Sequence, residues 1–156
     1  PIRDIESFAT PRSGIETFAN RGLAGIDGNI STALGIASKR EKTYAVIGDL
    51  AFLHDLTGLV NQEPINLKLI VLNNNGGGIF STLPQANVPD FETIFGTPHN
   101  RDLVSIAKSF GIEACEITNY SDLKTFINSG SGLKIAICQM PDRRGNAELI
   151  KKLTPA

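Results

Sequence analysis

Residues 44–49 read Tyr-Ala-Val-Ile-Gly-Asp, and residues 67–78 read Leu-Lys-Leu-Ile-Val-Leu-Asn-Asn-Asn-Gly-Gly-Gly. In each stretch an apolar run of strand length ends in a polar cluster that contains glycine. Short, nearly continuous apolar runs are typical of parallel strands buried on both faces. The two stretches therefore predict parallel strands of one α/β sheet, with a polar cluster at the carboxyl end of each.

The rest of the chain alternates segments of strand-like and helix-like pattern. Further strands are predicted at residues 113–117 and 133–138, with a short one near 17–19, and helices at 30–38, 55–61, 103–110, 123–128 and 147–153. This alternation predicts a doubly wound α/β fold, in which a mostly parallel sheet carries helices on both faces. Residues 73–100 hold three consecutive glycines and three prolines. A loop of that length in a compact domain is usually functional.

Length and charge exclude several classes of protein. The 156 residues fit a single domain, and 15 basic against 16 acidic side chains give a net charge of −1. No run of Lys and Arg offers the surface that nucleic-acid binding needs. No apolar stretch approaches the roughly 20 residues of a membrane span, so we expect a cytoplasmic protein. The chain begins without Met, which suggests that residues 1–156 are a fragment of something longer.

The two polar clusters predict a site for a metal and a diphosphate. Open α/β sheets bind ligands beyond the carboxyl ends of their strands, where Asp49 and the asparagines can meet. A carboxylate, an amide oxygen and a backbone carbonyl suit Mg²⁺ when phosphates complete its octahedron. Gly48 lets the backbone pass close to a diphosphate, and the helix after Asp49 offers amides to it. The alternative is that both clusters are turns without a ligand.

The spacing of the two clusters resembles a known cofactor motif. Gly48 and Asp49 are followed some two dozen residues later by Asn73 and Asn74. This arrangement resembles the G-D-x and double-Asn motif of thiamine-diphosphate-dependent enzymes. The resemblance implies that Asp49, Asn74 and the carbonyl of Gly76 hold Mg²⁺ or Mn²⁺, and that thiamine diphosphate is the cofactor.

The same resemblance implies a wider set of cofactor contacts. The implied cofactor-binding residues are Ala24, Gly25, Ile26, Gly48, Asp49, Leu50, Ala51, Asn74, Gly76, Gly77 and Ile79. Ile26 matches the large apolar residue that supports the bent shape of the cofactor. Its alternative role is that of a core residue under a glycine-rich turn. Leu50 stands where many members of the superfamily have Gly.

Longer stretches of the sequence carry a more specific resemblance. They are Asn20 to Gly28, Gly48 to Leu50 with His54 to Leu56, and Asn73 to Ser81 with Leu83 to Gln85. Together they are similar to one family within this superfamily, the 2-succinyl-5-enolpyruvyl-6-hydroxy-3-cyclohexene-1-carboxylate synthases of menaquinone biosynthesis. The resemblance covers the C-terminal third of such enzymes, which implies that residues 1–156 are the C-terminal cofactor-binding fragment of a longer enzyme. It implies a transferase that decarboxylates 2-oxoglutarate on the cofactor and adds the four-carbon product to isochorismate.

The resemblance also implies partners and substrate contacts. In the family, the N-terminal domain of a neighbouring subunit supplies an activating glutamate, so we expect an inactive isolated chain that works within a homodimer or tetramer. Arg3 and Arg21 match arginines that face the second substrate, and paired guanidinium groups suit its carboxylates. Ile79, Phe80 and Leu83 would then form an apolar wall over the reacting carbons, and packing within the loop is the alternative role.

Two other interpretations stay open at this point. The chain could belong to another 2-oxoacid decarboxylase or to an acetolactate-type synthase, which has less need of two carboxylate-binding arginines. It could also be a non-catalytic diphosphate-binding module. His54 and His99 are further candidates for acid or base groups, with a structural or exposed position as the alternative for His54.

Overall fold

The computed structural model describes residues 1–23, 25–60 and 64–153. It contains a parallel sheet whose strands are β1 (Thr43–Gly48), β2 (Leu67–Asn73), β3 (Glu113–Ile117) and β4 (Lys134–Gln139). The strands lie in the order β1-β2-β4-β3, and every neighbouring pair is parallel. All four were predicted, each within one residue at either end. They are easy to find because buried parallel strands form continuous apolar runs.

Helices flank the sheet. In the described residues the α-helices are α1 (Ile2–Phe8), α2 (Asn29–Ala37), α3 (Asp49–His54), α4 (Leu103–Ser109), α5 (Tyr120–Ile127) and α6 (Arg143–Leu153). The predicted helices correspond to α2, α4, α5 and α6, although α5 and α6 begin earlier than predicted. Helix α1 was not predicted. No helix in the described ranges is long and apolar enough to cross a membrane.

Two apolar layers cover opposite faces of the sheet. On one face Leu69, Val71, Ile135 and Ile137 pack with Ile30, Phe52, Leu103 and Ala107 of helices α2, α3 and α4. On the other face Ile70, Ala136 and Cys138 pack with Phe126 of α5. Helices on both faces of a parallel sheet confirm the predicted doubly wound fold.

The predicted short strand near residues 17–19 is wrong. This segment has no regular structure, and its side chains are exposed. Glu16 pairs with Arg40 at 2.7 Å, and the Arg40 guanidinium lies 5.9 Å from the centre of the Phe18 ring. These contacts hold the segment beside the turn after α2 instead of along the sheet.

The helix predicted at residues 55–61 is wrong in kind, and residue 61 lies outside the described residues. A 3₁₀ helix, Leu56–Val60, follows α3 instead. The two helices are separated at Asp55. Its carboxylate accepts hydrogen bonds from the Ser31 backbone N–H (2.7 Å) and from the Ser31 hydroxyl (3.1 Å) in α2. A buried tertiary contact therefore overrides the local helical preference.

The loop predicted at residues 73–100 contains short turns, with no strand or α-helix beyond the end of β2. The turns are 3₁₀ segments Gly78–Thr82 and Pro84–Asn87 and a π-helical segment Glu92–Gly96. Phe95 lies 5.5 Å, centroid to centroid, from both Phe80 and Phe91. These aromatic contacts hold the loop together beside the carboxyl end of the sheet.

Candidate functional site

Asp49 is the buried acidic group at the carboxyl end of β1. It is the first residue of α3, and only 2% of it is exposed. Its Oδ1 accepts from the Leu50 backbone N–H at 2.7 Å, and its Oδ2 accepts from the Gly76 backbone N–H at 2.7 Å. His99 Nε2 lies 3.2 Å from the same Oδ2. The two polar clusters found in the sequence therefore meet in space, as their positions at strand ends predict.

Strand pairing explains this meeting. β1 and β2 are neighbours in register, with Gly48 opposite Leu72. The residues that follow the two strands, Asp49 after β1 and Asn74 after β2, therefore leave the sheet at the same edge. Because the strands are parallel, the segments that follow them both continue into the crevice where open α/β sheets bind ligands.

Gly76 and Gly77 are required by the close approach of two backbones. The Gly77 N–H donates to the Gly96 carbonyl at 2.7 Å. A Cβ on Gly76, whose φ is 131°, would lie 2.1 Å from that carbonyl oxygen. A Cβ on Gly77 would lie 2.6 Å from the Phe95 carbonyl oxygen. Only glycine permits the contact that brings the Gly76 N–H to Asp49.

Asn75 fastens the loop to a second turn. It adopts a left-handed φ of 59°, which Asn tolerates better than most residues. Its Oδ1 accepts from the backbone N–H groups of His99 (3.2 Å) and Asn100 (2.8 Å), and its Nδ2 donates to Asn100 Oδ1 (2.8 Å). Arg143 of α6 donates to the Asn75 carbonyl and also pairs with Glu92.

The amino-acid sequence places Asn75 in the polar cluster after β2 but does not indicate that Asn100 or Arg143 belongs to this site. Residue type could have suggested Asn100, since it lies in the predicted loop and Asn tolerates the positive φ found there. Arg143 has no such local pattern, because its contacts arise only when α6 packs on the loop.

Asn74 is left available by this arrangement. Within residues 1–23, 25–60 and 64–153, no hydrogen bond to its side-chain amide is found. The Gly76 carbonyl accepts from the Gly78 N–H at 3.1 Å, which leaves it one further lone pair. The described residues hold no cluster of three or more His, Cys, Asp and Glu that could bind a metal. A metal here must combine the Asp49 carboxylate with amide and carbonyl oxygens, and that donor set fits Mg²⁺.

Both predicted substrate arginines are associated with α1. Arg21 Nη1 lies 2.6 Å from Glu6 Oε2. Glu6 and Arg3 are three residues apart on the helix and so share a face. The ring of Pro1, which precedes α1, lies 3.6 Å from the position of a Cβ on Gly48. Helix α1 therefore begins beside the motif glycine, and Arg3 lies in its first turn.

The predicted apolar contacts are exposed side chains. Ile26, Ile79 and Phe80 are 42%, 46% and 37% exposed, so the alternative role of Ile26 as a core residue is wrong. The Asn29 amide donates to the Ile26 carbonyl at 2.8 Å and fixes this turn before α2. Gly25 is exposed, and Ala24 lies outside the described residues.

The remaining candidates lie on and beside α3. Leu50 and Ala51 occupy its first turn, and the Leu50 side chain lies 3.6 Å from the position of a Cβ on Gly77. His54 at the end of α3 is exposed, whereas the His99 side chain is only 9% exposed and faces Asp49. Of the two histidines, only His99 belongs to the site.

Comparison with known proteins extends these observations. Residues 5–134 match the family model described as thiamine pyrophosphate enzyme, C-terminal TPP binding domain. A protein of Thermobifida fusca (strain YX) is 41% identical over 165 residues, which cover 100% of this chain and 29% of that protein. A protein of Synechocystis sp. (strain ATCC 27184 / PCC 6803 / Kazusa) is 44% identical over 160 residues, which cover 98% of this chain and 27% of that protein.

Both relatives are named 2-succinyl-5-enolpyruvyl-6-hydroxy-3-cyclohexene-1-carboxylate synthase. The chain spans less than a third of the length of these relatives. The family resemblance noted in the sequence is thus supported over the whole chain, while most of each relative has no counterpart in it.

Solved structures share the fold. A thiamine diphosphate-dependent 4-hydroxybenzoylformate decarboxylase of Rhodococcus jostii RHA1 superimposes with a TM-score of 0.59 at 18% identity, covering 74% of this chain and 22% of that chain. Benzoylformate decarboxylase of Polynucleobacter necessarius superimposes with a TM-score of 0.58 at 18% identity, covering 72% and 22%. At this identity the likeness concerns the fold alone.

Proposed function

We propose a function from one premise: the chain belongs to the family of C-terminal TPP (thiamine diphosphate) binding domains of thiamine pyrophosphate enzymes. It is the cofactor-binding part of a synthase that acts on 2-oxoglutarate and isochorismate. The whole enzyme would decarboxylate 2-oxoglutarate and join the four-carbon product to isochorismate. The observation that carries the proposal is the buried Asp49 carboxylate, which is held against Gly76 at the carboxyl ends of two neighbouring strands.

The proposed metal ligands are Asp49, Asn74 and the carbonyl of Gly76, which would hold Mg²⁺ or Mn²⁺ and through it the diphosphate. The Asn74 amide, to which the described part of the chain makes no hydrogen bond, and the oxygen donor set support this assignment. When bound, thiamine diphosphate supplies the electron sink for decarboxylation and carbon–carbon bond formation. The protein's part is to hold that cofactor, orient the substrates and exclude water.

Apolar side chains are proposed to exclude water from the reacting carbons. Ile26 and Ile79 present exposed apolar surface, and the Phe80 ring packs on Phe95 with 5.5 Å between ring centres. In a complete enzyme these side chains would be covered by cofactor and substrate. A dry site strengthens every electrostatic contact within it.

Arg3 and Arg21 are proposed to bind the carboxylates of isochorismate. A guanidinium donates two parallel hydrogen bonds to a carboxylate, which gives orientation as well as affinity. The Arg21–Glu6 pair supports this role, since the Arg21 guanidinium binds a carboxylate on the surface of α1.

The remaining parts of the active enzyme are proposed to lie elsewhere. An N-terminal domain of the same enzyme, from a second subunit of a homodimer or tetramer, would supply the activating glutamate. The small share of each relative that this chain covers supports the need for further domains. We place the complete enzyme in the cytoplasm.

The two binding roles can be separated by substitution in the complete enzyme. Arg3→Ala and Arg21→Ala should each lower kcat/KM for isochorismate about 10- to 150-fold, since a charge-assisted contact contributes about 1.5 to 3 kcal/mol. Release of CO₂ from 2-oxoglutarate should stay near that of the wild type. Asp49→Ala should abolish both activities because it removes a metal ligand.

Arg40→Ala is the matched control. The exposed Arg40–Glu16 pair resembles the Arg21–Glu6 pair in length, 2.7 against 2.6 Å, but lies at the end of α2. Its loss should leave both activities unchanged. Normal isochorismate kinetics in both site variants, or loss of cofactor as severe as in Asp49→Ala, would overturn the assignment of the arginines.

A further inference from the structure

His99 lies beside the proposed metal site, where its Nε2 is 3.2 Å from Asp49 Oδ2. We infer that His99 is a positioning residue, which orients the Asp49 carboxylate so that Oδ1 faces the metal. This inference rests on the proposed function, because it requires a metal at Asp49. It concerns a residue from a turn that lies 50 positions further along the chain.

The hydrogen bonds of His99 determine where its proton lies. Its Nδ1 accepts from the Arg101 backbone N–H at 3.0 Å. A ring nitrogen that accepts carries no proton, so the neutral ring must carry its proton on Nε2. That nitrogen lies 3.2 Å from Asp49 Oδ2 and therefore donates to it.

This proton position also excludes His99 as a metal ligand. A metal binds the unprotonated nitrogen of a neutral imidazole. In His99 that nitrogen is Nδ1, which faces the Arg101 N–H and not the candidate site. The imidazole can therefore act on the metal only through Asp49.

The two oxygens of Asp49 differ in the lone pairs they have left. Oδ2 receives two donors, the Gly76 N–H and His99 Nε2, which match its two lone pairs. Oδ1 receives the Leu50 N–H at 2.7 Å and keeps one lone pair. The oxygen available to a metal is therefore Oδ1.

His99 is itself held rigidly enough to act in this way. Its side chain is 9% exposed, and its backbone N–H donates to Asn75 Oδ1 at 3.2 Å. Asn75 directly follows the candidate ligand Asn74. Since the terminal torsion of an aspartate is soft, a fixed donor on Oδ2 restricts rotation of the carboxylate. Outer partners of this kind typically change metal affinity 10- to 100-fold.

The test compares two amides at position 99 in the complete enzyme. A Gln amide reaches about as far as Nε2, whereas an Asn amide reaches only about as far as Nδ1. We expect His99→Asn to weaken Mn²⁺ binding, measured by electron paramagnetic resonance with thiamine diphosphate present, about 10- to 100-fold. His99→Gln should lie much closer to the wild type. His54→Asn, the control at the exposed histidine that ends α3, should bind like the wild type.

Two outcomes would overturn this inference alone: wild-type affinity in His99→Asn, or an equal loss in the Asn and Gln variants while the wild type binds Mn²⁺. A wild-type enzyme without Mn²⁺ binding would overturn the proposed function as well. A measurement that needs no substitution is ¹⁵N NMR of the histidine-labelled wild-type enzyme. The Nε2–H form at His99 supports the inference, and the Nδ1–H form overturns it.

Discussion

Asp49 and Lys68 are two charged residues buried to the same degree at opposite ends of neighbouring strands. Each is 2% exposed. Asp49 follows the carboxyl end of β1 and contacts its neighbour Leu50 and, from two distant segments, Gly76 and His99. Lys68 lies near the amino end of β2, and its Nζ donates to the Gly130 carbonyl in the loop after α5.

The two charged groups differ in how their surroundings affect the charge. Burial lowers the pKa of Lys68, and the nearby Lys134 lowers it further. Burial of its ammonium therefore costs free energy. The hydrogen bond from this ammonium to Gly130 links β2 to the loop after α5. Around Asp49, by contrast, backbone and side-chain donors converge on a negative group. The comparison shows that burial of a charge does not by itself mark a site, whereas convergence of partners from distant segments does.

Substitution of the two buried charges should give the largest difference in Mn²⁺ affinity. Asp49→Ala in the complete enzyme should lower Mn²⁺ affinity by more than the roughly 100-fold that loss of an outer partner can cause, because it removes a proposed direct ligand. Lys68→Met removes an equally buried charge at the other end of the sheet from the proposed metal site and should leave Mn²⁺ affinity unchanged. Similar losses in both variants, measured by Mn²⁺ titration, would show that the two ends of the sheet are not functionally distinct.

A second comparison uses two glycines with positive φ. A Cβ on Gly76 would overlap the Gly96 carbonyl, whereas a Cβ on Gly111 (φ 76°) would meet nothing within 4 Å. Gly111→Ala should therefore cost only the roughly 1–2 kcal/mol of left-handed backbone. Gly76→Ala should cost about 1–3 kcal/mol more through overpacking, and it should also weaken Mn²⁺ binding. Urea denaturation and Mn²⁺ titration of both variants check this. Equal costs would contradict the tight contact of the two loops.

The smallest effect expected is a pH dependence at Lys68. Since its folded pKa lies below the unfolded value of 10.5, the unfolded chain binds more protons between the two values. Stability contributed by this residue should therefore rise with pH through that window and level off above 10.5. The measurement is the difference in free energy of unfolding between the wild type and Lys68→Met as the pH is raised from neutrality. A difference that is constant or falls with pH would contradict the sign.

Much of the site followed from local sequence. Asp49 and residues 73–78 could be paired because each follows a strand whose apolar run is plain to read. The contact of His99 with Asp49 could not be foreseen in this way, since the sequence indicated only a candidate acid or base group. Arg143 and Glu92 likewise meet only when α6 packs on the loop, and nothing in the residues around either one indicates the other.

The same division holds for the fold. The sequence by itself determined the four strands and their parallel arrangement, because an apolar run of strand length has few alternatives to burial between two layers of helices. Tertiary structure alone decided that residues 17–19 leave the sheet and that Asp55 ends α3 to reach Ser31. It also decided that His99 and Leu50 N–H divide the two oxygens of Asp49 between them. These outcomes depend on contacts between groups far apart in the chain, and such contacts leave no periodic pattern in the sequence.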